Sequence, residues 1–411
     1  MGLILFENAN LLAPPADHLV PGINVLVEGQ RIREVSDRPI KVSEATRLDL
    51  AGRTLMPGLI DAHCHVTISE VNLHQLSAVP LTLMAARAGA ALRAKLDRGF
   101  TTIRDAAGAD WGLKMAVEEG LLVGPRMFVS GRALSQTGGH ADFRLRTEGE
   151  APCACSSGLH MQSAVADGVD AVIAAARNEL RLGADQIKIM ASGGVSSPDD
   201  PLEGVQYTPE EMRAVVAEAA RRNTYVLAHA YSPAAILQAV EAGVRSIEHG
   251  NLINEAAAAR LAEAGGFMVP TLVAYEGLKR RGRELGLSES SMVKLERVLQ
   301  AGLASIEIAR KAGVALGFGT DLLGPLQDME ALEFPIRAQI EPIAAVIASA
   351  TVVNARLLGR EGELGVVAPG ALADILVLDG DPLRDAGLLG EAGDHLRLIM
   401  KGGAIHKNTL S

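Results

Sequence analysis

The segment Pro57-Gly-Leu-Ile-Asp-Ala-His-Cys-His65 decides the fold, because it joins a short apolar run to two histidines at its end. Side chains alternate between the two faces of a strand, so a gap of one residue places His63 and His65 on the same face. Two imidazoles that point together can share a metal ion. A His-x-His pair also fits an exposed strand end, so its meaning depends on the rest of the chain.

Beyond this segment, apolar runs alternate with Ala-rich stretches that have the helical i, i+3, i+4 period, such as Ala85–Leu96, Ala164–Leu182 and Pro209–Arg222. Repeated strand-then-helix units predict a parallel sheet, and eight of them close a barrel. We therefore predict an α/β fold, a (β/α)8 TIM barrel. Its eight predicted strands are Leu59–Val66, Thr101–Asp105, Met127–Gly131, Gln186–Met190, Thr224–Ala230, Ser246–His249, Met268–Leu272 and Ala315–Asp321.

Both chain ends have strand character. Asn24–Val35 contains a Glu-Gly-Gln turn between two strand-like runs, which is typical of a hairpin. Strand character returns in Gly365–Leu378 and Leu396–Met400. We predict that residues 1–56 and 362–411 form a small β-sandwich domain together, and that residues 57–361 form the barrel.

Composition narrows the function. The 411 residues are 48% hydrophobic but 3% aromatic, as expected for a barrel interior of branched aliphatic side chains. A net charge of −10 without a dense Lys/Arg stripe argues against a nucleic-acid partner. No apolar run is long enough to span a membrane, and the N-terminus lacks the basic region of a signal peptide, so we expect a cytoplasmic protein. Three cysteines do not form a disulfide framework, and we interpret Cys153 and Cys155 as an incidental loop pair.

Further candidate ligands lie at other strand ends. His229, His249 and Asp321 each follow an apolar run that a barrel would bury. The C-terminal ends of barrel strands meet at the face where active sites of this fold lie. Any one of these residues could also be a core histidine or a helix cap. Together with His63 and His65, they predict a metal site at that face.

Lys188 lies between two isoleucines in the fourth predicted strand. Burial of an unpaired ammonium there would cost several kcal/mol, so its charge must be compensated. One explanation is a buried ion pair with an acid from another strand. The other is carboxylation of the amine.

With these residues in place, the sequence resembles the amidohydrolase superfamily, in the branch of Xaa-Pro dipeptidases, N-acyl-amino-acid hydrolases and imidazolonepropionase-like enzymes. The resemblance covers nearly the whole chain. Besides the segment that ends at His65, it rests on Ile187-Lys-Ile-Met-Ala-Ser-Gly-Gly194, Ala228-His-Ala-Tyr231, Ile247-Glu-His-Gly250, Gly319-Thr-Asp321 and Gly370-Ala-Leu-Ala-Asp-Ile375.

The resemblance implies a binuclear metal centre. His63, His65 and Asp321 would bind one divalent cation and His229 and His249 the other, with a carboxylated Lys188 and a hydroxide as bridges. We expect Zn²⁺, although these ligands also suit Mn²⁺, Co²⁺ or Fe²⁺.

The same resemblance implies roles for the residues around the metals. Asp321 would take a proton from the attacking water and deliver it to the leaving nitrogen. His140, in a Gly-rich turn, would hydrogen-bond the carbonyl oxygen as it becomes an oxyanion, although a solvated loop histidine is the alternative. Tyr231 follows His229 by two residues and would hold the substrate carboxylate, unless it packs at the barrel rim.

The Gly-rich stretch from Ser192 to Asp200 lacks phosphate-loop spacing, so we interpret it as an active-site loop. The insertion from Asp142 to Gly158 is a candidate lid.

The substrate prediction rests on the seventh strand and its loop, Met268–Tyr275, which offer mostly apolar and small side chains. We expect a small-molecule substrate, an Xaa-Pro or other dipeptide with a hydrophobic C-terminal residue, or an N-acyl amino acid, with Tyr275 as a contact. The alternatives are a peptidase for C-terminal Arg or Lys that uses Glu276, a hydrolase of a cyclic amide or an amide-linked toxin, and a metal-free barrel scaffold. The sequence leaves open whether the chain forms a homo-oligomer.

Overall fold

The computed structural model describes residues 2–144, 161–197, 200–390 and 393–410. Cys153, Cys155 and most of the candidate lid lie outside the described residues. The chain divides into two compact units. One unit comprises Met1–Asp61, Arg93–Ile103 and Ala331–Ser411, and the other comprises Ala62–Leu92 and Arg104–Glu330.

Strands dominate both chain ends and recur through the middle of the chain. They are β1 Leu3–Leu12, β2 Leu19–Glu28, β3 Arg31–Ser36, β4 Ala45–Asp49, β5 Thr54–Pro57, β6 Leu59–Cys64, β7 Phe100–Asp105, β8 Arg126–Val129, β9 Ala133–Ser135, β10 Ser163–Val165, β11 Ile187–Met190, β12 Val226–Ala230, β13 Ser246–His249, β14 Phe267–Val269, β15 Ala315–Leu316, β16 Ile375–Leu378, β17 Leu396–Lys401 and β18 Ala404–Asn408.

The helices lie between strands in the part of the chain from β6 to β17. They are α1 Leu81–Asp97, α2 Trp111–Glu118, α3 Val169–Arg181, α4 Pro209–Arg221, α5 Pro233–Ala242, α6 Glu255–Glu263, α7 Leu272–Arg281, α8 Glu289–Lys311, α9 Glu333–Arg337, α10 Ile343–Ala348, α11 Asn354–Leu357 and α12 Gly387–Gly390. Two 3-10 segments, Leu73–Ala78 and Gly324–Leu332, and a π-helical segment, Ser349–Val353, complete the helical structure of the described residues.

The chain ends pair in one eight-stranded sheet, in the order β18-β17-β16-β5-β1-β2-β3, with β4 beside β1. The predicted hairpin is confirmed, since β2 and β3 pair antiparallel. β16 pairs with β5, so the C-terminal strands join the N-terminal ones. Phe6 packs into a larger apolar cluster and Leu5 into a smaller one, as expected for alternating side chains.

The central part of the chain confirms the predicted (β/α)8 barrel. β6, β7 and β8 form one sheet, and β9 to β15 form a second in the order β10-β9-β11-β12-β13-β14-β15. All six strand pairings in the second sheet are parallel. A backbone hydrogen bond from Ala62 to Phe318 (2.9 Å) connects β6 to the residues after β15, and one from Asp185 to Val129 (2.7 Å) connects the residues before β11 to β8.

Several predicted boundaries are wrong. Ala164–Leu182 begins as β10, and its helix starts only at Val169. The predicted seventh strand ends at Val269, and Leu272 already opens α7. The predicted eighth strand is regular only at Ala315–Leu316. Short apolar runs do not distinguish a strand from the irregular backbone that continues it, which explains these errors.

Helix starts are set by local sequence. Thr208 and Glu211 form a capping box before α4, with Pro209 at the first helical position. At the start of α5 the side chain of Ser232 accepts from the backbone N–H of Ala235 and Pro233 is the first helical residue, and Gly243 ends this helix in the left-handed conformation. Within the described residues, no helix combines the length and apolarity needed to cross a bilayer.

Candidate metal and active site

His63 and His65 lie at the end of β6, as the alternation of strand side chains requires. Both side chains are buried, and their ring centroids are 5.3 Å apart. Nδ1 of His63 lies 2.6 Å from Oε2 of Glu248, and Nδ1 of His65 lies 3.0 Å from the carbonyl oxygen of Ala107. These contacts orient the Nε2 atoms of both rings towards Asp321.

Asp321 lies five residues beyond the end of β15, not inside a strand as predicted. Its φ of +51° is in the left-handed region, and its backbone N–H donates to the carbonyl oxygen of His63 (2.8 Å). Oδ1 of Asp321 lies 3.2 Å from Nε2 of His65 and 3.5 Å from Nε2 of His63. The carboxylate therefore faces both histidines at the end of β6.

His249 ends β13 and brings a third imidazole to the same carboxylate. Its Nδ1 lies 2.8 Å from Oγ1 of Thr271 and 3.9 Å from Oδ2 of Asp321. Its φ of +73° turns the chain away from the strand at this point. His63, His65, His249 and Asp321 are called the histidine cluster below.

His229, on β12, lies beside this cluster. Its ring centroid is 4.7 Å from that of His249, and its Nε2 lies 3.1 Å from the carbonyl oxygen of Gly193. The ring of His140 stacks on it at 4.3 Å with an interplanar angle of 19°. His140, a loop residue in the sequence, is therefore brought against a strand-end histidine.

Lys188, on β11, is 1% exposed and lines the same cleft. Burial lowers its pKa from 10.5 to about 8, although Glu248 and Asp321 raise it. Within the described residues, no carboxylate lies within ion-pair distance of its amine. The interpretation of Lys188 as half of a buried ion pair therefore receives no support from a contact.

The donor set fits a divalent cation. Burial lowers the pKa of His63 and His229 well below the ordinary value, and that of His249 to about 4, so these rings are neutral near pH 7. Burial raises the pKa of Asp321, but the facing histidines outweigh this effect and keep it well below the ordinary value. Neutral imidazoles and an ionised carboxylate are the forms that bind metals.

The arrangement of three residues is compatible with a metal site. One ligand atom each from His63, His249 and Asp321 lie within 4.8 Å of one another. His65 and His229 lie outside this set of mutually close atoms, although each contacts one of its members.

A cleft of ≈780 Å³, including the part open to solvent, lies above these residues. All residues that line it belong to the unit Ala62–Leu92 and Arg104–Glu330. It brings together every predicted site residue, namely His63, His65, His140, Lys188, His229, Tyr231, His249, Tyr275 and Asp321. The other walls are mainly apolar and are formed by Ile68, Leu73, Ala107, Phe143, Met190, Val195, Ala274, Leu278, Leu322, Leu323 and Leu326.

Tyr231 and Tyr275 meet at one wall of the cleft, where their phenol oxygens are 2.8 Å apart. The Tyr231 ring stacks against that of His249 with centroids 5.3 Å apart. Glu276 is not part of this wall. Its carboxylate accepts a hydrogen bond from Arg280 (2.7 Å), one turn further along α7.

Sequence reasoning missed the buried charged residues that surround the proposed metal ligands. Glu248 accepts from Arg104 (2.8 Å) as well as facing His63, and both of these charged side chains are fully buried. Burial raises the pKa of Asp105 to about 6, and Asp105 accepts from the backbone N–H of Val66 (2.9 Å). The criterion applied to Lys188, a charge inside an apolar strand, could have identified Arg104 and Glu248.

Known proteins share this architecture. Residues 54–405 match the amidohydrolase family. An amidohydrolase of known structure is 52% identical, with a TM-score of 0.97 over 100% of both chains. A prolidase, solved in complex with N-methylphosphonate-L-proline, is 47% identical, with a TM-score of 0.96 over 99% of this chain and 100% of its own. Ochratoxinase from Aspergillus niger is 34% identical over 391 residues, 90% of this chain and 79% of that protein.

These likenesses agree with the resemblance found in the motifs. The match to the family covers most of the chain, and His63, His249 and Asp321 form a possible site for the divalent metal centre that this family generally uses. The chain therefore belongs to the amidohydrolase family, and it is a metal-dependent hydrolase that acts on amide bonds.

Proposed function

We propose that this enzyme hydrolyses Xaa-Pro and other dipeptides with a hydrophobic C-terminal residue, together with N-acyl amino acids. The observation that carries the proposal is the chemistry of the cleft. Among its described lining residues Asp321 is the sole carboxylate, and the walls away from the histidines are mainly apolar, with Gln162 and Ser196 as polar members. An apolar wall favours proline or an aliphatic side chain over a charged one. The likeness to a prolidase bound to a proline phosphonate supports the same substrate class.

Two Zn²⁺ ions are the proposed cofactors. His63, His65 and Asp321 would hold one ion, and His229 and His249 the other. When bound, such cations lower the pKa of a shared water and polarise the substrate carbonyl. Lys188 would be carboxylated by CO₂ and serve both ions. Its burial without an ion-pair partner among the described residues supports this modification.

Asp321 is the proposed proton carrier. Its carboxylate lies within 3.2–3.9 Å of three imidazoles and is kept ionised by them, so it can accept a proton from the attacking water. The carboxylate would then return that proton to the departing nitrogen.

His140 is the proposed stabiliser of the oxyanion. It lines the cleft and stacks on His229, so it lies beside the proposed metal ligands and not among them. A hydrogen bond from this ring to the carbonyl oxygen would strengthen as negative charge develops on that oxygen.

The substrate carboxylate needs its own partner. The hydroxyl groups of Tyr231 and Tyr275, 2.8 Å apart, would bind it at the wall of the cleft. A charged acceptor strengthens hydrogen bonds from neutral donors, which suits this task.

The alternatives differ in support. Glu276 pairs with Arg280 outside the cleft lining, so a preference for C-terminal Arg or Lys has no structural basis in that residue. The metal-free scaffold conflicts with membership of an enzyme family. Hydrolysis of an amide-linked toxin is the second candidate, favoured by the 34% identity to ochratoxinase and by Phe143 in the apolar wall.

A substrate panel tests the proposal. The enzyme, expressed with bicarbonate and zinc, would be assayed on Xaa-Pro, Xaa-Leu, Xaa-Arg and Xaa-Asp dipeptides, the matching N-acetyl amino acids, and ochratoxin. We expect kcat/KM to be at least roughly 100-fold higher for Pro or Leu than for Arg or Asp, because a charge in an apolar pocket is left unpaired. A preference for Arg or Asp would contradict the proposal. Activity on ochratoxin alone would favour the second candidate.

A further inference from the structure

Asp200 places a carboxylate behind His140. Its Oδ2 lies 3.1 Å from Nδ1 of His140 and accepts from the backbone N–H of Gly194 (3.2 Å) and from Nε2 of Gln206 (3.2 Å). Burial raises the pKa of Asp200, but His140 and Lys294 outweigh it and lower that pKa below the ordinary value. An ionised carboxylate can only accept, so Nδ1 of His140 donates to Asp200 and Nε2 is the ring nitrogen left for the substrate. A hydrogen bond from Nε2 to a substrate oxygen requires a proton on this nitrogen as well, that is, the doubly protonated ring.

Lys294, on α8, holds this carboxylate and its loop from the other side. Its Nζ donates to the carbonyl oxygens of Gly194 (3.1 Å), Ser197 (2.7 Å) and Asp200, and lies 3.4 Å from Oδ1 of Asp200. The side chain is 14% exposed. One ammonium therefore holds the backbone at Gly194, Ser197 and Asp200.

Gly194 gives the imidazole its room. A Cβ atom at this position would lie 2.2–2.7 Å from three atoms of the His140 ring, so the ring packs directly on the glycine backbone. Gln206 also accepts from the backbone N–H of His140 (2.9 Å). The ring is thus fixed by His229 on one face, by Gly194, and by Asp200 at Nδ1.

We infer that Asp200 and Lys294 are positioning residues for the hydrolysis of the amide bond, acting through His140. His140, Gly194, Asp200 and Lys294 are called the His140 network below. The inference rests on the proposed role of His140. In this arrangement Lys294 fixes the backbone beside Asp200, Asp200 fixes the orientation of the ring, and a protonated Nε2 of His140 donates to the substrate carbonyl oxygen.

A double-mutant cycle tests this chain of contacts on the metal-loaded enzyme. Asp200→Asn should lower kcat about 10–100-fold, as for loss of the carboxylate that orients a functional imidazole, with little change in KM or metal content. Lys294→Met should lower kcat by less, roughly 3–30-fold, as for a member of one hydrogen-bonded network. In a His140→Asn background, neither substitution should lower kcat further.

Arg297→Met is the matched control. Arg297 lies one turn further along α8 and pairs with Glu203, and both side chains are more than half exposed. A surface pair of this kind contributes little, so kcat should be unchanged. If Lys294→Met cannot be purified, Asp200→Asn and its double variant carry the same test.

The outcomes separate this inference from the proposed function. If His140→Asn lowers kcat but Asp200→Asn does not, or if their effects multiply, the positioning role is wrong and the role of His140 stands. If His140→Asn leaves kcat unchanged, both are wrong. Non-multiplying losses in kcat at constant metal content support the inference.

Discussion

The two sides of the cleft are held in place differently. In the histidine cluster, the Nδ1 atoms of His63 and His249 face side chains that lie on or just after other strands of the barrel, Glu248 on β13 and Thr271 two residues after β14. In the His140 network, the partners come from a loop and a helix that are 94 residues apart in the chain. We interpret the difference as two structural roles. The barrel strands position the proposed metal ligands, whereas contacts of a loop and a helix position His140, the group proposed to meet the substrate.

Asp321→Asn should have the largest effect. It removes the proposed proton acceptor and a metal ligand, so kcat/KM on an Xaa-Pro dipeptide should fall by about 10²–10⁴-fold or more. Steady-state kinetics with metal analysis provides the measurement. Asp328→Asn, outside the cleft lining, is the control. Activity within tenfold of the wild type would remove Asp321 from the mechanism.

Glu248→Gln sharpens the contrast between the two sides. The amide cannot accept from both Arg104 and His63 as the carboxylate does, so metal affinity should fall about 10–100-fold. Competition with a chelator measures the affinity. Glu241→Gln, exposed on α5, should leave it unchanged. If Glu248→Gln lowers kcat at unchanged affinity, the histidine cluster behaves like the His140 network and the contrast fails.

Tyr231→Phe should act on binding. Loss of a hydrogen bond to a charged carboxylate costs about 1.5–3 kcal/mol, so kcat/KM should fall roughly 10–100-fold, mainly through KM. Kinetics with a dipeptide and with its C-terminal amide distinguish the loss of carboxylate binding from any other effect of the substitution. Tyr207→Phe, buried outside the cleft lining, is the control. An equal loss on the amide would show that Tyr231 does not bind the carboxylate.

Glu276→Gln should have the smallest effect. Glu276 makes a partly exposed i,i+4 pair with Arg280, and such pairs contribute about 0–1 kcal/mol. We expect kcat/KM within about twofold of the wild type on every dipeptide tested. A selective loss on substrates ending in Arg or Lys would revive the basic-residue peptidase.

Sequence reasoning reached the histidine cluster and His229 because strand periodicity determines where these histidines lie. His63, His229 and His249 occupy strand ends, and parallel strands bring those ends together. The prediction of Asp321 does not depend on the exact end of its strand. The regular strand ends at Leu316, and the irregular backbone after it brings Asp321 to the histidines. The barrel and the pairing of the chain ends followed from the same periodicity.

The contacts of the His140 network could not be predicted in this way. His140 was singled out by resemblance, but no periodic pattern links Asp200 to Lys294, and their contact depends on how α8 packs against a loop. Glu248 and Arg104 are an intermediate case. The sequence could have predicted that both side chains are buried, because they lie inside apolar strands. It could not have predicted their partners, because a strand pattern does not specify which side chains meet across the barrel.

The most direct test of the central claim is a titration of metal-stripped enzyme with Zn²⁺ in bicarbonate buffer, followed by hydrolysis of an Xaa-Pro dipeptide. We predict that activity is absent without metal, rises with added Zn²⁺ and reaches its plateau at about two ions per chain. Full activity in the metal-free protein, or a plateau at one ion, would contradict a binuclear site built from the histidine cluster, His229 and Lys188.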